Sequence, residues 1–183
     1  MKKFELTTDT KMRFGKKLFR IKALISFGNV RAGDMGGYIE KEGNLSQSGN
    51  AWVSGNAKVF GDAEVSGNAK VSGNAWVYGD AKVSGNAEVS GNAEVSGDAW
   101  VSGNAEVSGN ADYATASGFG SEYRTTTFFK LKDSNEIGVR CGCFYGTLKE
   151  FRAKVKEKHG ESKKAKEYLM LADLMEYRFL EEK

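Results

Sequence analysis

The chain of 183 residues contains no proline, one histidine (His159) and two cysteines (Cys141 and Cys143). Without proline, no turn can rest on a φ fixed by a ring, so turning falls to the 23 glycines and to Asn and Asp. One histidine excludes any mechanism that draws two imidazoles from a single chain, a three-histidine zinc site included. Two thiols are too few for a disulfide framework. Threonine is absent between residues 11 and 114, which excludes the regular threonine rows of an ice-binding face. No stretch approaches the roughly 20 apolar residues of a membrane span. Residues 1–9 lack the apolar run of a secretory leader. We therefore expect a soluble, cytoplasmic protein that does not engage a membrane. Apolar residues make up 40% of the chain, enough to build a core.

Charge is unevenly distributed. Residues 1–32 hold nine Lys or Arg against Glu5 and Asp9, a net +7. Residues 33–112 carry −7 and residues 113–183 carry +3. A basic head on an acidic middle suits an anionic partner. Ordinary solubility, with contacts between unlike patches of neighbouring subunits, accounts for it equally well.

The middle of the chain is a repeat. From Asn50 to Gly109 run ten unbroken copies of [Asn/Asp]-Ala-x-Val-[Ser/Phe/Tyr]-Gly. Tyr38–Gly43, Asn44–Gly49 and Asn110–Tyr113 read as degenerate copies. On an extended strand Ala and Val point to one face and x to the other. Gly followed by Asn or Asp supplies a turn. Short strand and turn in alternation make a solenoid, stable only when stacking buries a continuous Ala/Val column. Asp replaces Asn at 62, 80 and 98, and aromatics replace Ser at Phe60 and Tyr78, each step being 18 residues. That predicts three hexads per coil and a little over four coils.

This pattern resembles the hexapeptide-repeat family, whose fold is a left-handed parallel β-helix. More narrowly, the chain resembles small hexapeptide-repeat proteins of bacteriophages and prophages. The pieces that carry this likeness flank the repeat: Leu18–Leu24, Gly33–Glu40, Asn44–Ser46 and Cys141–Leu148. The resemblance implies a homotrimer, and it implies no settled activity.

Both solenoid ends need caps against edge pairing. Residues 1–37 read as a small β cap, with strands over 3–7 and 18–27. Residues 38–113 form the β-helix and 114–124 a linker. Residues 125–183 form a β-hairpin plus two α-helices. Thr125–Lys132 and Ile137–Phe144 pair, and Thr147 with Glu150 has capping-box spacing. Leu148, Phe151 and Val155 face inward until Gly160 ends that helix. Ser162 caps a second helix, Lys163 to about Glu181, with Ala165, Leu169, Leu171, Ala172 and Met175 as its apolar stripe. The expected class is therefore mainly β.

Many hexapeptide-repeat proteins are acyltransferases with a catalytic histidine on the shaft. This shaft has none, and its hexads run without an interrupting loop. We expect no catalytic residue, no cofactor and no metal. A degenerate acyltransferase and a virion scaffold stand as alternatives. Cys141 and Cys143 point to one strand face and read as buried thiols, since zinc wants four ligands. Asp62, Asp80 and Asp98 form a column that either holds a cation or merely replaces Asn in turns. Trp52, Trp76 and Trp100 occupy outward x positions on three different faces. With Phe60 and Tyr78 they are the candidate oligomer contacts. Among Lys149, Arg152, Lys154, Lys156, Lys158, Lys163, Lys164 and Lys166, the charges are offset by Glu150, Glu157 and Glu161; the run reads as a solvated face or an anion site.

The expected function is a non-enzymatic oligomeric binding protein acting in the host cytoplasm. Its end modules would bind a host protein or a phosphorylated ligand, inhibiting or sequestering part of an antiphage defence. Arg13, Lys16, Lys17, Arg20, Arg31, Arg140 and Arg152 are the candidates for the anionic partner. Nucleic acid is not favoured, because no motif interleaves basic and aromatic residues.

Overall fold

The computed structural model describes residues 2–120 and 122–179. The chain divides into two compact units, Met1–Asn110 and Ala111–Lys183.

Unit one is a β-solenoid of about four parallel-stacked coils. Each hexad gives one two-residue strand, and the ten strands lie on three faces. One face carries β4 (Trp52–Val53), β7 (Lys70–Val71), β10 (Glu88–Val89) and β13 (Glu106–Val107). A second carries β5 (Lys58–Val59), β8 (Trp76–Val77) and β11 (Glu94–Val95). The third carries β6 (Glu64–Val65), β9 (Lys82–Val83) and β12 (Trp100–Val101). Among these ten strands every parallel pair is offset by 18 residues, as in Val59↔Val77 and Val77↔Val95. The Ala and Val of all ten hexads are at most 1% exposed, so the interior is a stack of small side chains. Each corner is turned by a glycine at positive φ, for example Gly55 at 62° and Gly79 at 73°, a conformation other residues adopt only at a cost.

The first coil departs from the hexad pattern. Ile39 pairs with Val59 and Leu45 bridges to Val65, offsets of 20 residues. The two extra residues lie between Leu45 and Val53 and widen that corner. Lys3 fills it. Its ammonium, on a residue only 2% exposed, donates to the carbonyls of Ala51 (2.9 Å), Ser48 and Gly49 (both 3.5 Å). Its backbone N–H donates to Gln47 Oε1.

In the N-terminal segment the first strand runs on to Arg13, past the expected end at residue 7, while the second starts at Lys16 and stops at Ala23, short of the expected residue 27. β1 (Phe4–Arg13) and β2 (Lys16–Ala23) make a hairpin around Phe14 (φ 48°) and Gly15 (φ 74°). Two consecutive left-handed residues are what a tight hairpin turn requires. β2 pairs antiparallel with β3 (Met35–Ile39), which heads the β5–β8–β11 face. The expected boundary at residue 37 thus falls inside a strand.

Unit two is a four-stranded antiparallel sheet with two helices. The sheet is β14 (Tyr113–Ala116), β15 (Thr126–Lys130), β16 (Ile137–Cys141) and β17 (Phe144–Thr147), in that order. The expected linker therefore begins as a strand, because Tyr113–Ala116 finds a partner edge in β15. Helix α1 (Leu148–His159) opens with the expected capping box: Thr147 Oγ1 accepts from the Glu150 N–H, and Glu150 accepts from the Thr147 N–H at 2.7 Å. The Thr147 N–H and then the Thr147 hydroxyl, both donating to the Glu150 carboxylate, hold it below its usual range. Helix α2 (Lys163–Phe179) follows, with the Ser162 hydroxyl accepting from the Ala165 N–H. Its expected extension to Glu181 lies outside the described residues. The buried positions of α2 are Ala165, Tyr168, Ala172, Met175 and Phe179, while Leu169 and Leu171 are half-buried. No helix among the described residues is long and apolar enough to cross a membrane.

Candidate functional site

The outward x positions of the second solenoid face run Tyr38, Lys58, Trp76, Glu94. The β1–β2 hairpin brings its cations over the first three. Lys11 Nζ lies 4.2 Å from the centre of the Tyr38 ring, and Arg13 lies 5.5 Å from that of Trp76. Lys58 Nζ lies 5.3 Å from the same indole and donates to the Asn56 carbonyl at 2.9 Å. Phe14, 74% exposed, closes the group, 5.7 Å from Trp76 and 6.1 Å from Phe60. The result is three cations spread over an aromatic floor.

Electrostatics mark this cluster as strained. Burial lowers the Lys58 pKa, and the neighbouring charges of Arg13 and Lys11 lower it further. Among the described residues, Lys11, Arg13, Lys17 and Lys58 have no carboxylate within ion-pair distance. Lys11, Arg13 and Lys58, the last of them desolvated, lie together without a counter-charge and are stabilised by any anion that reaches them. Lys17, paired across the hairpin with Met12, lies on its other face, over Phe19.

Other candidate cations are already engaged. Lys16 donates to both carboxylate oxygens of Glu40 at 2.9 Å. Burial pushes the Glu40 carboxyl up, but the Lys16 hydrogen bond and the Gly61 N–H outweigh it and leave it low. Arg20 donates to the Gly36 carbonyl and sits 3.4 Å from Asp9. Arg31 is an exception: only its backbone N–H donates to Asp34, and it lies in an exposed segment beyond the hairpin. Arg140 and Arg152 belong to unit two, and Arg152 is held by Asp173 (2.6 Å) and Glu176 (2.7 Å). The hydrogen bond to Glu176, followed by that to Asp173, raises the Arg152 pKa despite its burial. Lys17 has no carboxylate partner among the described residues but lies on the other face of the hairpin. Of the seven candidates Arg13 alone belongs to the cluster, which Lys11 and Lys58 complete. The sequence signal for them was slight: Lys58 sits at a repeat position also filled by Glu and Trp.

The aromatic oligomer candidates separate into covered and open. Trp52 is buried under Phe27, ring centres 5.5 Å apart. Phe60 is buried with Leu18 and Tyr38 and stacks on Tyr78 at 5.1 Å. These two outward positions are covered by the chain's own N-terminal segment, so they are not exposed patches. Trp76, Tyr78 and Trp100 are half-buried, and the Trp100 indole N–H donates to Ser84.

The cysteines also differ from expectation. Cys141 ends β16 and pairs with Phe144, while Gly142 and Cys143 form the turn between them. The thiols therefore do not share a strand face; Cys141 is half-buried and Cys143 exposed. Asp62 pairs with Lys41 at 2.6 Å. Among the described residues, no three His, Cys, Asp or Glu gather to hold a metal ion. Neighbouring Asn columns form amide ladders instead, as in Asn50–Asn68–Asn86–Asn104 at 3.1–3.2 Å. No protein-family model matches this chain, and no curated protein matches it.

Proposed function

We propose that this is a non-enzymatic binding protein of the phage hexapeptide-repeat type. In this reading the solenoid is a left-handed shaft that assembles as a homotrimer in the host cytoplasm. The end modules carry the binding, and the partner is the acidic surface of a host protein, inhibited or sequestered on behalf of the phage. The supporting observation is the cluster of Lys11, Arg13 and Lys58, cationic, aromatic-floored and without carboxylate partners. Trimerisation would repeat that cluster three times at fixed spacing, so modest single contacts would add through avidity.

The test is binding of a poly-glutamate peptide to the full chain across a salt series. Half-buried Lys11 and exposed Arg13 are replaced by Ala together with Lys17 on the hairpin's other face; Lys16 and Arg20 are replaced in a control. The hairpin triple variant should bind at least about tenfold more weakly, with a flatter salt dependence. The control should lose less, since Lys16 and Arg20 are already neutralised. Equal binding by wild type and triple variant overturns the assignment, and native mass spectrometry of the same sample reads the oligomeric state.

A further inference from the structure

Unit two contains a cleft that the sequence did not announce, with a volume of about 360 Å³. Three separate parts of the chain wall it. Phe144 comes from β17, Phe151 and Val155 from one side of α1, and Tyr168 from α2. Phe151 and Tyr168 meet edge to face, 5.6 Å apart at 86°, and Phe144 is tilted against Phe151, 5.5 Å away at 55°. Such a wall leaves ring faces and edges disposed to receive one more ring.

The rim has the opposite chemistry. Arg124, Lys154 and Lys158 line the cleft against a single carboxylate, Glu122. Lys154 and Lys158 stand one helical turn apart, on the side of α1 that also presents Phe151 and Val155. Lys154 shares its ammonium with Glu157 at 2.8 Å, an exposed pair of little strength. Lys158 has no ion-pair partner among the described residues. Glu122 and Arg124 are 3.6 Å apart and both more than half exposed. The rim therefore keeps a net positive charge above an aromatic floor.

We propose that this cleft binds a small organic anion built on a flat aromatic ring, with the ring against Phe144, Phe151 and Tyr168 and the phosphate or carboxylate held by Lys154 and Lys158. The volume sits at the low end of small-molecule pockets, which span roughly 300–1,000 Å³. That suits one ring system with one anionic group. A bare phosphate would leave the aromatic floor unfilled, and a neutral ring would leave the ammonium groups unanswered. The site is separate from the hairpin cluster, and it stands or falls independently of the function proposed above.

Cys141 and Cys143 provide a reporter, because both residues line the same cleft. The experiment uses the full chain with phenyl phosphate, benzoate, octanoate and inorganic phosphate as probes, read by isothermal calorimetry. Iodoacetamide alkylation of the two cysteines, resolved by mass spectrometry, is run alongside. Phenyl phosphate should bind one per chain and slow alkylation of Cys141. Inorganic phosphate should bind at least about tenfold more weakly, having lost the ring contact. A Lys154→Ala/Lys158→Ala variant should also lose at least about tenfold, having lost two charge-assisted contacts. Tighter binding of benzoate than of phenyl phosphate supports the site with a carboxylate ligand. Octanoate binding as tightly as phenyl phosphate overturns the aromatic assignment. Unchanged alkylation of Cys141 in wild-type protein at saturating phenyl phosphate overturns the site itself, whatever the variant does.

Discussion

The two units solve the burial problem in opposite ways. Across the ten regular hexads the solenoid interior is Ala and Val alone, repeated at identical positions, each coil hydrogen-bonded to the next. The core of unit two is a set of large, unlike side chains, among them Phe128, Phe151, Tyr168, Met175 and Phe179. A repeated small residue packs without gaps and produces flat, equivalent faces. Bulky rings on non-equivalent elements leave concave space where they fail to close, and ligand sites are concave. The difference teaches where chemistry can sit. In the proposed reading the regular shaft supplies spacing, and recognition belongs to the irregular parts, the hairpin and the cleft.

The sharpest way to break this contrast is to damage each core in its own terms. Val77 is fully buried between Val59 and Val95. Val77→Asp places an unpaired carboxylate in that column and should cost about 5 kcal/mol, spreading to neighbouring coils because each depends on the next. Hydrogen exchange should show lost protection over 50–109. Phe151→Ala in unit two should cost about 4 kcal/mol by leaving a cavity, with lost protection over α1 and β15–β17. If Val77→Asp exposes only its own coil, the stacked-column account of the shaft is wrong.

The same contrast explains what could be read from the sequence. Ten copies of one hexad fix which residues face inward, so the stacked faces and the 18-residue step were legible. Elements that occur once were less so. The hairpin tip was missed because Phe14 precedes Gly15 where Asn or Asp would signal the turn. Tyr38–Gly43 and Asn44–Gly49 match the hexad in spelling but not in register; the structure puts Ile39 and Leu45 in the valine position. Burial of Trp52 and Phe60 depends on a distant segment folding back over them, which no local pattern encodes. The cleft joins residues from 122 to 168, and Tyr168 lay outside the expected stripe of α2.

A second test works inside the shaft and concerns glycine. Gly85 and Gly97 have nearly the same φ, 69° and 62°. A Cβ on Gly85 would lie 2.8 Å from the backbone N of Gly103 in the next coil, whereas one on Gly97 meets nothing within 4 Å. Gly97→Ala should cost about 1 kcal/mol, the left-handed backbone penalty alone. Gly85→Ala should cost about 3 kcal/mol, because the coils must also part. Urea midpoints compare them directly. Equal losses would mean that close coil stacking plays no part in the choice of glycine.

The smallest effect sits at the seam where the uniform shaft meets its irregular start. Desolvation lowers the Lys3 pKa from 10.5 to about 8. Below about pH 8 both folded and unfolded chains carry the proton, and the cost of burying the charge is fully present. Between about pH 8 and 10.5 the unfolded chain holds a proton that the folded chain has released, so stability rises with pH across that window. Lys3→Met lacks this titration. The stability of wild type relative to Lys3→Met should therefore increase by about 1 kcal/mol from pH 7 to pH 9, read from paired thermal melts. A difference that stays flat would mean that the Ala51, Ser48 and Gly49 carbonyls solvate the ammonium as well as water does. The wide first corner would then be an accommodating site for a cation rather than a strained one.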